Sequence, residues 1–286
     1  MSASIKNDRT SVAQLFQRIC AAKYFVTLTG AGVSTLSGIR DFRGKNGLYN
    51  DPGPTGAEDA EKIFDIDYFH TDPSFYYKAS ADFIYNVNER EPSIVHKTLA
   101  RLEAKGFLKS LITQNIDLLH QKGGSKRVIE IHGSPSVHYC LNCSNLSRVE
   151  AANQSFDAAA GPGVTLPEND GDLMGYDEVA ALVKAGELPR CKKCGKVLKP
   201  AITFFGESLP VRALQAAESD ASRADLMLVL GTTLTVYPAA AIPQITQRRG
   251  GDLVIVNNME TPMDRYAVMK FEDLGEVFEE LAGLIQ

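Results

Sequence analysis

Two pairs of cysteines give the clearest chemical signal in this 286-residue chain. Each pair has the spacing Cys-x2-Cys, and the four residues are Cys140, Cys143, Cys191 and Cys194. Four thiolates in two such turns form a closed tetrahedral set, which is typical of structural Zn2+. The pairs stand further apart than the common roughly 15–20 residues, which indicates an insertion at about residues 150–187. Disulfides are disfavoured in a reducing compartment, and a single redox Cys-x-x-Cys would not come as a pair. We therefore predict a zinc that takes no direct part in chemistry.

A glycine turn gives the second signal. The apolar run 24–28 ends in Gly30-Ala31-Gly32, where small residues allow close approach to a ligand and successive N–H groups could hold a phosphate. The hydride-transfer fingerprint needs a third glycine where this chain has Thr35, and an acid about 20 residues on at the end of a second strand. That distance falls near Asp51, in a Pro/Gly-rich loop. The turn suits a dinucleotide without hydride transfer, and a glycine turn with no ligand is the alternative.

The elements that must position such residues alternate along the chain. Apolar runs predict strands at residues 24–28, 108–113, 128–131, 226–230 and 253–256, and apolar spacing predicts helices at 11–22, 92–105, 214–222 and 239–248. This order predicts an α/β fold: a Rossmann-like open parallel sheet with helices on both faces. Ligands of such sheets lie at the carboxyl ends of the strands. The five strands end in small or polar residues, namely Gly30, Gln114, His132, Gly231 and Asn257.

Two further segments have several interpretations. Residues 57–89 are helical in pattern and rich in Phe and Tyr, as expected of a helical module on the sheet or of an aromatic wall around a substrate tunnel. Residues 176–185 suggest a short helix between the cysteine pairs. The fifth cysteine, Cys20, is interpreted as a packing residue of the first helix.

Composition excludes several function classes. The chain is 44% hydrophobic and 23% charged with a net charge of −5, as in ordinary soluble globular proteins. An acidic balance argues against direct nucleic-acid binding. No apolar run is long enough to cross a bilayer, and the polar N-terminus does not look like a secretory signal. We expect a cytoplasmic protein with no membrane association.

A series of motifs from residue 11 to residue 284 resembles the sirtuins, the NAD-dependent protein deacylases. Each motif is modest alone, but their order is specific. They are Gly30-Ala-Gly-Val-Ser-Thr35, Gly38-Ile-Arg-Asp-Phe-Arg-Gly44, Thr113-Gln-Asn-Ile-Asp117 with His120, Glu130-Ile-His-Gly133, the two cysteine pairs, Phe204-Phe-Gly-Glu-Ser-Leu-Pro210, Gly231-Thr-Thr-Leu-Thr-Val-Tyr-Pro238 and Val254-Ile-Val-Asn257.

The resemblance implies both an architecture and a reaction. A Rossmann-like NAD-binding domain (residues 1–45, 90–137 and 198–286) would carry a small domain made of a helical module (46–89) and a zinc-binding module (138–197). NAD would be a co-substrate, and acylated-lysine proteins or peptides would be the partners. The acyl group would pass from lysine to ADP-ribose, with release of nicotinamide and O-acyl-ADP-ribose.

The resemblance also assigns site residues. His132 would be the general base, an imidazole that titrates near the operating pH, and Asn115 would orient a water and the ribose. Asp117 and the backbone of Ile116 would hold the carboxamide, Gln114 would reach the ribose, and His120 would support the site from behind. The other expected NAD contacts are Gly30, Ala31, Gly32, Thr35, Asp41, Phe42, Arg43, Gly231, Thr232, Thr233, Asn257, Asn258 and Ala267. The expected peptide contacts are Thr203, Phe204, Phe205, Gly206, Glu207, Leu234 and Val236.

Three departures from the family pattern qualify these expectations. Arg40 stands where proline is usual, and Thr203 stands where an apolar residue is usual. Some members of the family use a Tyr-x-x-Arg pair to bind succinyl or malonyl groups, and no such pair follows Tyr49 here. Neutral acyl groups are therefore expected to be preferred over acidic ones. A mono-ADP-ribosyltransferase on the same scaffold and a non-catalytic NAD or ADP-ribose sensor remain the alternatives.

Overall fold

A computed structural model describes residues 9–41, 47, 62–152 and 171–285. Phe42 and Arg43, which the sequence assigns to NAD, lie outside these ranges, as does the loop that follows Tyr49. The described chain forms a six-stranded sheet with a hydrophobic core on each face and a three-stranded sheet that packs on a further core.

The larger sheet is parallel throughout, with the strand order β3-β2-β1-β7-β8-β9. Its order changes direction at β1, where a crevice opens beyond the strand ends. The strands are β1 (Phe25–Thr29), β2 (Leu108–Thr113), β3 (Val128–Glu130), β7 (Leu226–Leu230), β8 (Asp252–Val256) and β9 (Ala267–Phe271).

Helices cover both faces of this sheet. The first face packs on α1 (Arg9–Ala21), α5 (Ile94–Ala104) and α11 (Leu274–Leu284), and the second on α9 (Val211–Arg223) and α10 (Ile242–Arg248). Side chains alternate between the faces: in β7, Leu228 enters the first core and Val229 the second. A sheet buried on both faces needs continuous apolar runs, which is why these strands were visible in the sequence.

The remaining helices are short. Near the carboxyl ends of β1 and β2 lie α2 (Gly32–Thr35) and α6 (Leu119–Lys122); α3 (Ile66–Thr71) and α4 (Pro73–Ser80) form the helical module, and α7 (Leu146–Ala152) and α8 (Tyr176–Lys184) lie between the cysteine pairs. Single 3-10 turns occupy Val87–Glu89, Ala239–Ala241 and Asp264–Tyr266.

The smaller sheet is antiparallel, with the order β5-β4-β6. Its strands are β4 (Gly133–Tyr139), β5 (Leu173–Gly175) and β6 (Lys199–Ile202). Strand β4 therefore runs across the boundary expected at residue 137, and β6 belongs to the smaller sheet although it follows the boundary expected at 198. Strand β5 and helix α8 fall within the segment interpreted as an insertion, yet Met174 and Val179 are buried in the core of this unit.

The aromatic residues of the helical module are mainly core. Tyr76, Tyr77 and Tyr85 are buried and pack together with ring centroids 5.0–6.3 Å apart. Phe64, which belongs to the same core, and Phe83 also line the main cavity. The core interpretation is therefore confirmed, and the aromatic wall around a substrate tunnel stays a prediction.

Several expectations were incomplete or wrong. The strand β9 was not predicted, because Val268 is exposed and Lys270 interrupts the apolar run. Residues 239–248 form a 3-10 turn before α10 and not one helix. Cys20 is exposed, so its interpretation as a packing residue is wrong.

Candidate active site

One cavity of about 1230 Å3 lies at the carboxyl ends of the parallel strands, between the two sheets. It collects most residues that the sequence assigned to cofactor and substrate. Those that line it are Ala31, Gly32, Thr35, Asp41, Gln114, Asn115, Ile116, Asp117, His132, Thr203, Phe204, Phe205, Gly206, Glu207, Gly231, Thr232, Thr233, Val236, Asn257 and Asn258.

Three assigned residues are not among the described residues that line the cavity. The amide of Gly30 donates to the carbonyl of Leu230. Leu234 is buried in the core below α9 with a φ of 54°, so only its backbone could meet a peptide. Ala267 begins β9 and packs against the same core.

The glycine turn after β1 meets a second turn after β7. A Cβ on Gly32 would lie 2.7 Å from the Cα of Gly231, and a Cβ on Gly231 would lie 2.7 Å from the amide nitrogen of Val33. A Cβ on Gly30 would collide with the Cβ of Thr232 at 2.7 Å. The contact between the two turns therefore requires these glycines with or without a ligand, and the sequence had left both a ligand-binding turn and a turn without a ligand open.

His132 enters the cavity half-buried, with its orientation fixed by the neighbouring strand. Its Nδ1 lies 2.8 Å from the carbonyl oxygen of Gln114. A carbonyl only accepts, so Nδ1 carries the proton and Nε2 is the basic nitrogen of the ring. Burial lowers the pKa of His132 below its usual 6.5, while the bond to Gln114 acts in the opposite direction. The ring is therefore neutral near pH 7 and can accept a proton.

Asn115 and Asp117 share a buried hydroxyl group, which the sequence did not single out. The Oγ of Ser34 donates to Oδ2 of Asp117 at 2.5 Å and accepts from Nδ2 of Asn115 at 3.0 Å. The other Asp117 oxygen accepts from the amide of Leu119 at 3.0 Å. Burial raises the pKa of Asp117, and these hydrogen bonds oppose that shift. The three hydrogen-bonded side chains form one polar wall of the cavity.

Gln114 joins the two sides of the crevice. Its Nε2 donates to Oγ1 of Thr232 at 3.0 Å, across the gap between the ends of β2 and β7. The backbone N–H of Gln114 donates to the carbonyl of Thr29 at 2.9 Å. The side chain is thus held at the ends of the central strands, where hydroxyl groups of a ligand could replace Thr232.

The loop after β6 carries the expected peptide contacts. The backbone N–H and C=O of Phe205 both bond to the helical module, at Phe64 and Ile66, so a peptide strand would have to pair with residues beyond Phe205. Phe205 itself is 48% exposed at the cavity mouth, and Val211 and Tyr237, which also line the cavity, are more exposed.

Lys199 supports this loop from below and was missed in the sequence, because lysine is usually exposed. Its side chain is 1% exposed, and its Nζ lies 2.8 Å from Oε2 of Glu207. Nζ also donates to the carbonyl of Ile202 at 2.7 Å and lies 4.1 Å from the ring centre of Phe204. Burial lowers the pKa of Lys199, and Glu207 opposes that shift.

The four predicted metal ligands come together. All four sulfur atoms lie within 4.8 Å of one another, and Cys140 Sγ is 3.5 Å from Cys194 Sγ. A tetrahedral zinc with bonds of about 2.3 Å places its sulfur ligands roughly 3.8 Å apart, so this donor set fits zinc. The sulfurs of Cys140 and Cys191 are buried beside the aromatic core. The group lies in the zinc-binding module and outside the cavity lining, as a structural site requires.

These features define a class: an open parallel α/β protein with a polar crevice at its switch point and a small unit stapled by four cysteines. Residues 30–238 match the description of the Sir2 family. The chain belongs to the Sir2 family, the sirtuins.

Named relatives align over most of the chain. An NAD-dependent protein deacetylase of Thermotoga maritima is 42% identical over 246 residues, which is 86% of this chain and 86% of that protein. An NAD-dependent protein deacylase 1 of Archaeoglobus fulgidus is 38% identical over 269 residues, 94% of this chain and 95% of that protein.

Solved structures of the family share the fold. A Sir2 variant with deacetylated p53 peptide and 3′-O-acetyl ADP-ribose superposes with a TM-score of 0.78, at 37% identity and over 96% of this chain and 98% of that one. A Sir2 complex with p53 peptide and NAD+ gives a TM-score of 0.74, at 37% identity and over 95% of this chain and 96% of that one.

Among the described residues, no helix is both long and apolar enough to span a bilayer.

Proposed function

We propose that this chain is an NAD-dependent protein-lysine deacetylase. The observation that carries the proposal is the position of His132, a neutral imidazole beside Gln114 and Asn115 in a cavity that also reaches the exposed Phe205 loop. The relatives and the superposed structures support the same activity. NAD would act as a co-substrate that supplies an electrophilic ribose carbon and takes up the acyl group as nicotinamide leaves.

The residue roles follow from the groups that the cavity presents. Nε2 of His132 would take a proton from a ribose hydroxyl. Asp117, which accepts hydrogen bonds, would bind the amide N–H of the nicotinamide carboxamide, and Asn115 would orient the ribose and a water. Gln114 would hold ribose hydroxyls.

We propose that the rest of the assigned set binds the two ends of the substrates. Small residues and backbone amides at the ends of β1, β7 and β8 suit phosphates and adenosine. The Phe205 loop and Val236 suit a peptide strand, which would gain affinity from backbone pairing. The acyl-lysine would then lie between the two sheets, next to Thr203. Without a Tyr-x-x-Arg pair in the sequence, we expect neutral acyl groups to be preferred over acidic ones.

We also propose a cytoplasmic location. The four clustered cysteines form a zinc-ligand set, and thiols stay reduced and available to a metal in the cytoplasm. Fractionation of the source cells would check this proposal, and recovery of the protein from an oxidising extracellular fraction would contradict it.

The activity is tested by product analysis. The purified protein is incubated with NAD and an acetyl-lysine peptide, and the products are identified by mass spectrometry. We expect free lysine peptide, nicotinamide and O-acetyl-ADP-ribose. ADP-ribosylated peptide or protein in place of deacetylated peptide would identify a transferase, and unreacted NAD and peptide would identify a sensor.

A further inference from the structure

Two buried histidines lie behind the cavity wall, and the reaction proposed above does not use them. His96 on α5 and His120 on α6 are at most 1% exposed, and their ring centres are 4.6 Å apart. Nε2 of His96 and Nδ1 of His120 have no hydrogen-bond partner among the described residues. Burial lowers the pKa of His96 to about 4 and that of His120 well below 6.5, so both rings are neutral.

The tautomer of His96 is fixed by its helix cap. The backbone N–H of Ser93 donates to Nδ1 of His96 at 3.1 Å, and this ring closes the capping box of α5. A backbone amide can only donate, so Nδ1 is unprotonated and the proton of the neutral ring is on Nε2. His96 therefore presents a buried N–H that needs an acceptor.

The tautomer of His120 follows from its other neighbour. Its Nε2 lies 2.9 Å from Oγ1 of Thr29, and the single hydroxyl hydrogen of Thr29 is donated to Oγ1 of Thr113 at 2.8 Å. Thr29 must then accept from His120, which requires a proton on Nε2 and leaves Nδ1 as an acceptor. The opposite tautomer would place two buried N–H groups in adjacent rings without an acceptor, which is costly.

The end of this chain of hydrogen bonds is Asn115. Oγ1 of Thr113 accepts both from Thr29 and from the backbone N–H of Asn115, the latter at 3.0 Å. Nδ2 of Asn115 donates to the carbonyl of Gly30 and to Ser34, at 3.2 and 3.0 Å. The two side-chain hydrogen bonds orient the carboxamide of Asn115, while the backbone hydrogen bond to Thr113 fixes the position of the Asn115 backbone that carries it.

We propose that His120 is a positioning residue that acts through Thr29 on Asn115. The neighbouring ring of His96, with its centre 4.6 Å away, favours this tautomer of His120, and the hydrogen-bonded chain from His120 on α6 to the end of β2 holds Asn115 at the cavity. The inference rests on the role proposed for Asn115 in deacetylation. Because a displacement of about 1 Å can cost roughly 100-fold in rate, a buried hydrogen bond of this kind can affect turnover without touching a substrate.

Two matched pairs of variants test the chain. The amide nitrogen of a glutamine can replace Nε2 of the ring, and that of an asparagine can replace only Nδ1. His120→Gln should therefore keep kcat within about threefold, and His120→Asn should lower kcat about tenfold or more, with little change in KM for the acetyl-lysine peptide. Thr29→Ser should behave like the first and Thr29→Val like the second. Equal losses in both members of each pair, or no loss in either His120→Asn or Thr29→Val, would overturn the proposal.

A second measurement does not depend on activity. Long-range 15N–1H NMR spectra of the histidine-labelled wild-type protein report which ring nitrogen carries the proton. We expect Nε2–H on both His96 and His120 and Nδ1–H on His132. An Nδ1–H tautomer on His120 would refute the positioning role even in an active enzyme, whereas failure of deacetylation with the expected tautomers would count against the proposed function alone.

Discussion

His132 presents its basic nitrogen to the cavity because the other nitrogen is committed to a backbone carbonyl. The bond to Gln114 fixes both the ring plane and the tautomer. The sequence could indicate this histidine from its motif, but not its protonation, which depends on burial and on a carbonyl 18 residues away. The same limit applies to Ser34, whose bonds to Asn115 and Asp117 exist only after β1 and β2 are paired.

The lowered pKa of His132 predicts the acid limb of the pH profile. The role proposed for His132 needs the neutral ring, and burial lowers the pKa of that ring below 6.5. Turnover should therefore remain high at pH 6.5 and fall only as the pH drops through the lowered pKa. The measurement is kcat/KM for the acetyl-lysine peptide between pH 5 and pH 8, with NAD binding followed in parallel. An acid limb centred above pH 6.5 would show that His132 is not the group that titrates.

At the scale of elements, the crevice depends on two turns that touch through glycine. Gly231 has a φ of 61°, and an added Cβ would meet the backbone of Gly32 and Val33 at 2.7–2.8 Å. Gly231→Ala should lower the free energy of unfolding by about 3 kcal/mol, since backbone strain and overlap add. Gly106→Ala is the matched control: its φ is 78°, but nothing lies within 4 Å, so only about 1 kcal/mol is expected from strain.

Chemical denaturation of the two variants separates these effects. Similar losses at Gly231 and Gly106 would mean that the turns do not need close contact. The comparison also shows which role the sequence obscured, because a glycine-rich turn has the same pattern whether it meets a phosphate or another backbone.

The loop after β6, which we propose binds the peptide and call the peptide loop, is held by the buried Lys199. Lys199→Met removes the buried cation that pairs with Glu207 and leaves its carboxylate with the backbone N–H of Phe204, which loosens the loop. We expect KM for the acetyl-lysine peptide to rise about tenfold, with little change in KM for NAD. Lys199→Arg keeps the charge and should recover part of the affinity. Steady-state kinetics with each substrate varied in turn would measure the effect, and parallel changes in both KM values would indicate general loss of structure.

The sequence predicted the buried parallel strands better than any other element. β2 and β7 have the expected ends, and the ends of helices α1 and α5 differ from the predicted ends by one or two residues. The smaller sheet escaped prediction because β5 and β6 are only three and four residues long and pair across distant segments. Strand β4 was missed because Gly133 to Tyr139 mixes polar and apolar residues that are nearly all buried. Such burial is set by tertiary contacts and leaves no periodic pattern.

At the scale of the molecule, the four cysteines hold the unit that faces the parallel sheet. Cys140 and Cys191 share a core with the aromatic helical module and with Phe204 at the cavity. A metal there would stabilise the helical module and the peptide loop together, although it lies outside the cavity lining. Zinc binding of this kind contributes on the order of 10 kcal/mol to folding, which is comparable to the whole stability of a domain.

Loss of zinc should therefore cause loss of structure. Cys191→Ser should release the metal and lower Tm by more than about 10 °C. An incomplete ligand set binds zinc weakly, and the buried thiol of Cys140 then loses the metal that it would bind. Cys20→Ser, on the exposed face of α1, should leave metal content and Tm unchanged. Metal analysis with calorimetry checks both variants, and an unaltered Tm in zinc-free Cys191→Ser would contradict the structural role.

We propose that this sirtuin breaks NAD at the nicotinamide ribose with His132 as the base. The most direct measurement counts nicotinamide formed per acetyl-lysine consumed, in the wild-type protein and in His132→Ala, with NAD binding confirmed for both. We expect one nicotinamide for each lysine freed by the wild-type protein and loss of both products in the variant, with NAD still bound. Deacetylation that leaves NAD intact, or nicotinamide release that persists in His132→Ala, would contradict it.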